Sequence, residues 1–286
     1  MAKKRKQQGG FVIPSFIIHF TKFLQIFSSR LTARFVRFLF QKPMNFKHPK
    51  PEEKLLNSAQ IEYIYISEIK KKIAVYHWGT GDKKVLMVHG WSGRATQMYR
   101  IIDALLAQGF QVYSFDGPAH GKSSGKVTMM PEFIISVEKI SNKYGPFEVA
   151  IGHSLGGIST LNAQGRFRLF KKLVVIGTPD SIKDIFHGFA NRLSVKPKIA
   201  ERLIQTFEKF TGESIDNFHG SSNAKKIDVP VLVIHDDDDV EVSIKDALNN
   251  YKNLKKGTLI HTKSLGHNRI LKDKDVVQGI VDFVNQ

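Results

Sequence analysis

The side chains best suited to chemistry are one serine, a set of histidines and a run of carboxylates, spread along 286 residues. Gly152-His153-Ser154-Leu155-Gly156 fits the pattern G-x-S-x-G. It follows the β-type run Glu148 to Ile151 and opens a helical stretch from Gly156 to Phe167. In that context a sharp strand-to-helix turn projects the serine hydroxyl above a sheet. Flanking glycines let backbones approach, and the free N–H groups of the helix start favour negative charge nearby. A serine hydroxyl attacks a carbonyl only when a base takes its proton. His89, His120, His235 and His267 sit at predicted strand ends or in the loops beyond them, whereas His153 adjoins Ser154 in a turn that points it away. The base in turn needs a carboxylate to orient it and stabilise its charged form. Asp236-Asp237-Asp238-Asp239 follows the buried run Val231 to Ile234, and the residues alone do not say which of the four serves. Acyl transfer also needs two N–H donors for the oxyanion. Leu155 N–H, after the nucleophile, is one; Trp91 N–H, in His89-Gly90-Trp91-Ser92-Gly93, is the natural second.

Other chemistries fall away. Gly117-Pro118-Ala119-His120-Gly121-Lys122-Ser123 superficially resembles a phosphate loop, but G-x-x-x-x-G-K-S requires glycine where Asp116 stands. There is no H-E-x-x-H for zinc, and the absence of Cys removes disulfides, thiolate metal sites and a thiol nucleophile. No metal and no organic cofactor is implied.

The elements that must hold these residues alternate. Ile61 to Ile66, Ile73 to Trp78, Val85 to Val88, Gln111 to Phe115, Glu148 to Ile151, Leu173 to Ile176, Val231 to Ile234 and Thr258 to His261 read as eight strands. Helices are expected over Thr96 to Leu106, Pro131 to Asn142, Gly156 to Phe167 and Asp275 to Val284. Continuous apolar strands alternating with helices predict an α/β fold, a mostly parallel sheet covered on both faces. The stretch 180–228 breaks the rhythm; it is mostly helical, with Ile199 to Phe210 its clearest piece, and is expected to form a small inserted cap. Its Ile182, Ile185, Phe186, Phe189, Leu203, Phe207 and Phe210 suit a hydrophobic substrate group and equally suit packing onto the domain.

Over residues 60–286 the chain resembles the α/β-hydrolase-fold serine hydrolases, of the esterase and lipase kind. The family's H-G-x-x-G is met by His89 to Gly93, its D-x-P-G-H-G-x-S by Asp116 to Ser123 with Ala119 for Gly, and its G-H-S-x-G-G by Gly152 to Gly157. Its acid pattern H-G-x-x-D-x-x-V-P aligns onto His235 to Ser243, with Asp236 for Gly and Ser243 for Pro. The family order of serine, acid, histidine leaves His219, His235, His261 and His267 downstream. The resemblance thus implies Ser154 as nucleophile, Asp239 as acid and His267, after Gly266 in the loop beyond the last strand, as base. It implies a hydrolase of an ester or related acyl bond acting on a small acyl substrate. An acyltransferase, a thioesterase and a non-catalytic binding protein of the same fold are the alternatives.

The resemblance does not reach the first 51 residues, and they differ in kind. They hold 11 Lys and Arg, no Asp or Glu, and 9 of the 21 Phe, while the whole chain has a net charge of +17. The other 235 residues therefore carry only +6, which is no nucleic-acid-binding balance. Phe16, Phe20, Phe23, Phe27, Leu31, Phe35 and Phe38 recur at helical spacing, with His19, Lys22, Ser29, Arg30, Arg34 and Arg37 elsewhere on the wheel. Ser28-Ser29 is a natural break and Pro43 a stop. Three readings compete: a Phe stripe packed on the following domain, peripheral membrane contact through residues 11–42 aided by Lys3 to Lys6, or a cleaved signal peptide, which Pro14, His19 and the lack of an A-x-A-like site argue against. The sequence divides into a basic segment 1–51 and a hydrolase domain 52–286, in a protein expected in the cytoplasm or at a membrane surface.

Overall fold

Val85 to Val88 alternates between two environments, and that alternation organises the molecule. Leu86 and Val88 join one buried cluster, Val85 and Met87 the other. A strand whose side chains are apolar on both faces needs helices on both faces. The computed structural model describes residues 13–286, so the run Lys3 to Lys6 lies outside the described residues.

The described residues open with three helices, α1 (Ser15–Phe27), α2 (Ser29–Gln41) and α3 (Lys50–Asn57). Next come β1 (Gln60–Ile66), β2 (Lys71–Trp78), β3 (Lys84–Val88), α4 (Tyr99–Ala107), β4 (Gln111–Phe115), α5 (Met130–Tyr144), β5 (Phe147–His153), α6 (Leu155–Phe167) and β6 (Phe170–Ile176). The β6–β7 connection carries α7 (Ile182–Arg192), α8 (Pro197–Thr211) and α9 (Gly220–Ala224). The chain closes with β7 (Val231–Asp236), α10 (Ile244–Lys252), β8 (Gly257–Thr262), α11 (Gly266–Arg269) and α12 (Lys274–Asn285). The eight strands form one sheet in the order β1-β2-β4-β3-β5-β6-β7-β8. β1, β2 and β4 pair antiparallel, and every pairing from β4 through β8 is parallel. The expected α/β fold and all eight strands are present.

Helix α4 starts later than Thr96. Asp116 Oδ1 accepts from Ala95 N at 2.8 Å and Thr96 Oγ1 donates to Glu52 at 3.1 Å, so these residues are committed to turns.

The N-terminal helices part at Ser28, whose backbone is extended and whose hydroxyl accepts from Leu31 N to cap α2. Ile13, Thr21, Thr32 and Val36 turn inward and are buried. Thr21 reaches Leu193 O at 3.5 Å, Lys196 N donates to Gln25 Oε1 at 2.6 Å, and α2 packs along α8. The Phe stripe does not make this contact. Phe16, Phe20, Phe23, Phe27, Leu31 and Phe38 are all exposed, which corrects the reading that the stripe packs on the domain. The reason is close approach: Thr21 and Thr32 fold their hydroxyls onto carbonyls four residues back, at 2.7 and 2.8 Å, and leave a slim face where phenyl rings would hold the helices apart.

Val36 is fully buried between α2 and the remainder of the core. Val36→Asp would bury an unpaired charge and loosen the hairpin at a cost of about 2–4 kcal/mol. Amide exchange should accelerate across residues 15–41 while β3 and β5 keep their protection; unchanged exchange in α2 would contradict this seating.

Candidate active site

The β5–α6 turn is held by backbone-on-backbone contact. A Cβ on Gly156 would fall 2.0 Å from Val88 O, and one on Gly152 would fall 2.6 Å from Gly156 O. Only glycine permits that approach. The turn forces Ser154 into φ 52, ψ −118, a conformation that costs a non-glycine residue energy and lifts its side chain clear of sheet and helix. Ser154 N donates to Ile176 O at 2.9 Å, and Ser154 O accepts from Ile158 N at 3.1 Å.

The loop after β3 lies directly against this turn, since a Cβ on Gly90 would sit 3.0 Å from Ser154 Cβ. Among the described residues, the N–H groups of Trp91 and Leu155 meet no protein acceptor. Two neutral histidines fix the loop. His89 Nδ1 donates to Gly90 O at 2.7 Å while its Nε2 accepts from Gly117 N at 2.8 Å. His120 Nδ1 donates to Pro118 O at 2.9 Å while its Nε2 accepts from Ser92 N at 3.0 Å. Each ring is bonded as donor on one side and acceptor on the other, so neither bonding pattern tolerates a second proton. Burial pushes His89 down to about 4 and His120 down to about 3. Asp116 anchors the second loop, accepting from Tyr76 OH at 2.6 Å, Ala95 N at 2.8 Å and Lys122 N at 2.8 Å. The resemblance to a phosphate loop is thereby explained: this loop closes on its own carboxylate.

The four consecutive aspartates have four fates. Asp236 is buried at the end of β7, where it accepts from Gly266 N at 2.8 Å, Leu265 N at 3.0 Å, Asp238 N at 3.0 Å and Thr262 Oγ1 at 2.7 Å. It clamps the loop that carries His267. Asp237 is exposed, and Asp238 accepts from Ser264 N at 3.0 Å. Asp239 Oδ2 lies 2.7 Å from His267 Nδ1, with its side chain fully enclosed. Its Oδ1 accepts from Glu241 N at 2.8 Å and Val242 N at 3.0 Å. Burial works to raise the Asp239 carboxyl, but the hydrogen bond and charge of His267, with those two N–H groups, hold it below the ordinary range.

The other histidines are structural neighbours. His153 Nε2 donates to His267 O at 3.0 Å, and burial, with His267 beside it, pushes the ring down to about 3. His235 Nε2 donates to Val242 O at 3.0 Å, His219 bonds Asp216 and Ile182 N, and His261 lies on β8.

Ser154, Leu155, Trp91 and His267 all line one cavity of about 1030 Å³. Among the described residues Ser154 Oγ and His267 share the cavity without a formed hydrogen bond, and such contacts often close only around substrate. Ile182, Ile185, Phe186, Phe189 and Phe207 of the β6–β7 connection line it, whereas Leu203 is buried behind and Phe210 is exposed. The near wall comes from α2. Phe40 lies tilted against Phe186 at 4.7 Å, meets Phe189 edge-on at 5.3 Å and stacks on Trp91 at 6.3 Å. Sequence reasoning missed this wall because Phe40 differed in no way from the exposed Phe residues around it. It also missed Glu52, which holds Arg94 through two hydrogen bonds of 2.5 and 3.0 Å beside the Trp91 loop.

A model of the alpha/beta hydrolase family matches residues 85–236, more than half of the chain. The chain belongs to the alpha/beta hydrolase family. The lysophosphatidylserine lipase ABHD12 of Danio rerio is 28% identical to this hydrolase-family chain over 176 residues, 55% of this chain and 44% of that lipase. The chain therefore spans less than half the length of that relative. Among solved structures, the Pyrococcus furiosus esterase Pf2001 superposes with a TM-score of 0.66 at 20% identity, covering 85% of this chain and 98% of the esterase. A bromoperoxidase from Bacillus anthracis gives 0.62 at 16% identity, over 79% and 100% of the two chains. These likenesses show a common fold, and a fold serves more than one chemistry.

Protonation of the buried rings sets a pH limit. His89, His120 and His153 titrate near 6.5 when unfolded and well below it when folded, so the unfolded chain binds more protons as pH falls below about 6.5. Stability is full above that pH and falls towards about pH 4, by up to about 1.4 kcal/mol per pH unit for each ring. The melting temperature should decline across this window; a flat profile between about pH 6.5 and 4.5 would show that the rings are not held neutral.

Proposed function

We propose that the chain is a serine hydrolase that cleaves an ester or related acyl bond through an acyl-enzyme intermediate. The observation that carries the reading is the 2.7 Å contact of His267 with the enclosed Asp239, at the cavity that also receives the strained Ser154. In this reading Ser154 Oγ attacks the carbonyl carbon as its proton passes to His267 Nε2. Asp239 keeps the other proton on Nδ1 and stabilises the imidazolium. The oxyanion of the tetrahedral intermediate is met by the N–H groups of Trp91 and Leu155, each worth about 3–4 kcal/mol to the transition state. His267 then gives its proton to the departing alkoxide, leaving the acyl group on Ser154. Water repeats the sequence: His267 takes its proton, the oxygen attacks the ester carbon, and the carboxylic acid departs as Ser154 recovers its hydrogen.

Residues 52–286 form the hydrolase domain in this reading, with 180–228 as a cap that shapes the acyl pocket. The aromatic lining supports an apolar acyl group, and the similarity to a lysophosphatidylserine lipase supports an acyl lipid as the substrate type.

A fluorophosphonate probe should label the wild-type chain and leave Ser154→Ala unlabelled; labelling that persists in the variant would remove Ser154 from the reaction. Asp239→Asn should lower kcat on a chromogenic ester by about 10⁴-fold, and Asp237→Asn should stay within about twofold of wild type. The reverse order would move the acid within the run.

A further inference from the structure

We propose that the α1–α2 hairpin docks flat on an anionic bilayer and that the acyl ester reaching Ser154 is drawn from that bilayer. The second half rests on the hydrolase reading above; the first stands without it.

Packing of the hairpin through its slim Thr and Val face leaves large side chains outward. Phe16 is 71% exposed, Phe27 70% and Ile26 79%. Large apolar side chains on one exposed face mark a contact surface. Phe20 meets Phe35 edge-on at 5.1 Å, which joins the stripe of α1 to that of α2 in one patch. Beside it, Arg30, Arg34 and Arg37 follow one another at helical spacing as Leu31, Phe35 and Phe38 do. Among the described residues, none of Lys22, Arg30, Arg34 and Arg37 forms an ion pair with a carboxylate.

Charge selects the occupant. The first 51 residues carry 11 basic side chains and no acidic one, so a second copy would set arginine against arginine. An anionic lipid surface satisfies both halves of the pattern, phenyl rings among acyl chains and guanidinium groups among phosphates. Each helix has 13 residues, about 20 Å of length, too short for a hydrocarbon core of about 30 Å but suited to lying in the interface. No helix among the described residues is long and apolar enough to cross a membrane.

The same helix reaches the cavity. Phe38 is exposed, while Leu39 and Phe40, on the next positions of α2, line the cavity, followed by Met44 and Phe46. A step of two residues along α2 thus separates the exposed Phe38 of the proposed lipid face from Phe40 of the aromatic wall. An acyl chain leaving the bilayer along α2 would stay in apolar contact on its way in.

The test compares wild type with Phe16→Ser/Phe23→Ser/Phe27→Ser and with Arg30→Gln/Arg34→Gln. All five positions are exposed and outside the cavity, so melting temperature should hold. Sedimentation would use phosphatidylcholine vesicles with and without about 30% phosphatidylserine. Wild type should bind the anionic vesicles, the Phe variant should bind at least about 10-fold less, and the Arg variant should lose the preference for phosphatidylserine. Hydrolysis of a long-chain monoacyl ester in those vesicles should fall about 10-fold in the Phe variant, with a soluble short-chain ester unaffected. Equal binding by wild type and the Phe variant would overturn the proposal. So would a wild-type dimer that ignores vesicles and becomes monomeric in the Phe variant, since a second copy would then cover the patch. Lost binding without turnover of either ester would support docking and overturn the hydrolase reading.

Discussion

The site depends on how closely backbones approach where β5 turns into α6. Gly156 lies against the carbonyl of Val88, and Gly152 lies against the backbone of Gly156 and Gly157. With those contacts in place the chain has no room to relax, and Ser154 stays at a positive φ that costs about 1–3 kcal/mol. The cost is offset by hydrogen bonds that join the turn to β6 and to the first turn of α6. The contact also sets the distance to the Trp91 loop, because the residue packed under that loop is the start of α6 itself. One steric condition therefore fixes the serine, both candidate oxyanion donors and the mouth of the cavity together.

Electrostatics then separates histidines that the sequence presents as equals. His89, His120 and His153 are enclosed and lean on backbone groups, so burial keeps them uncharged. Among the described residues, His267 is the histidine that both borders the cavity and holds a carboxylate at hydrogen-bonding distance. The uncharged rings can then brace loops without placing a positive charge near Ser154, and the enclosed Asp239 holds His267 at 2.7 Å. The division between the bracing rings and His267, the proposed base, follows from burial and partner, and residue type does not distinguish them.

Much of this could be read from the chain, for identifiable reasons. The eight strands were legible because parallel strands covered on both faces are continuous apolar runs, and the β5–α6 turn because glycine spacing reports close approach. Asp239, the proposed acid, could be singled out only by aligning the run from His235 to Ser243, since four adjacent carboxylates look alike until partners sort them. Asp236 was opaque, because its work is to receive backbone N–H groups from Leu265 and Gly266, almost thirty residues away. The N-terminal stripe misled in the opposite direction. Large apolar residues at helical spacing predict burial, yet here the buried face is built from Thr21, Thr32 and Val36, two of them polar and none a member of the Phe stripe.

The wall formed by Leu39, Phe40 and Met44 has a pharmacological meaning. The family model matches residues 85–236, and these three side chains lie well before that segment. A ligand confined to Ser154, Leu155 and Trp91 would touch only residues inside the segment that the family model matches. One grown across the cavity to stack on Phe40 would also touch α2, outside that segment, so its affinity would report on a wall the catalytic motifs do not supply.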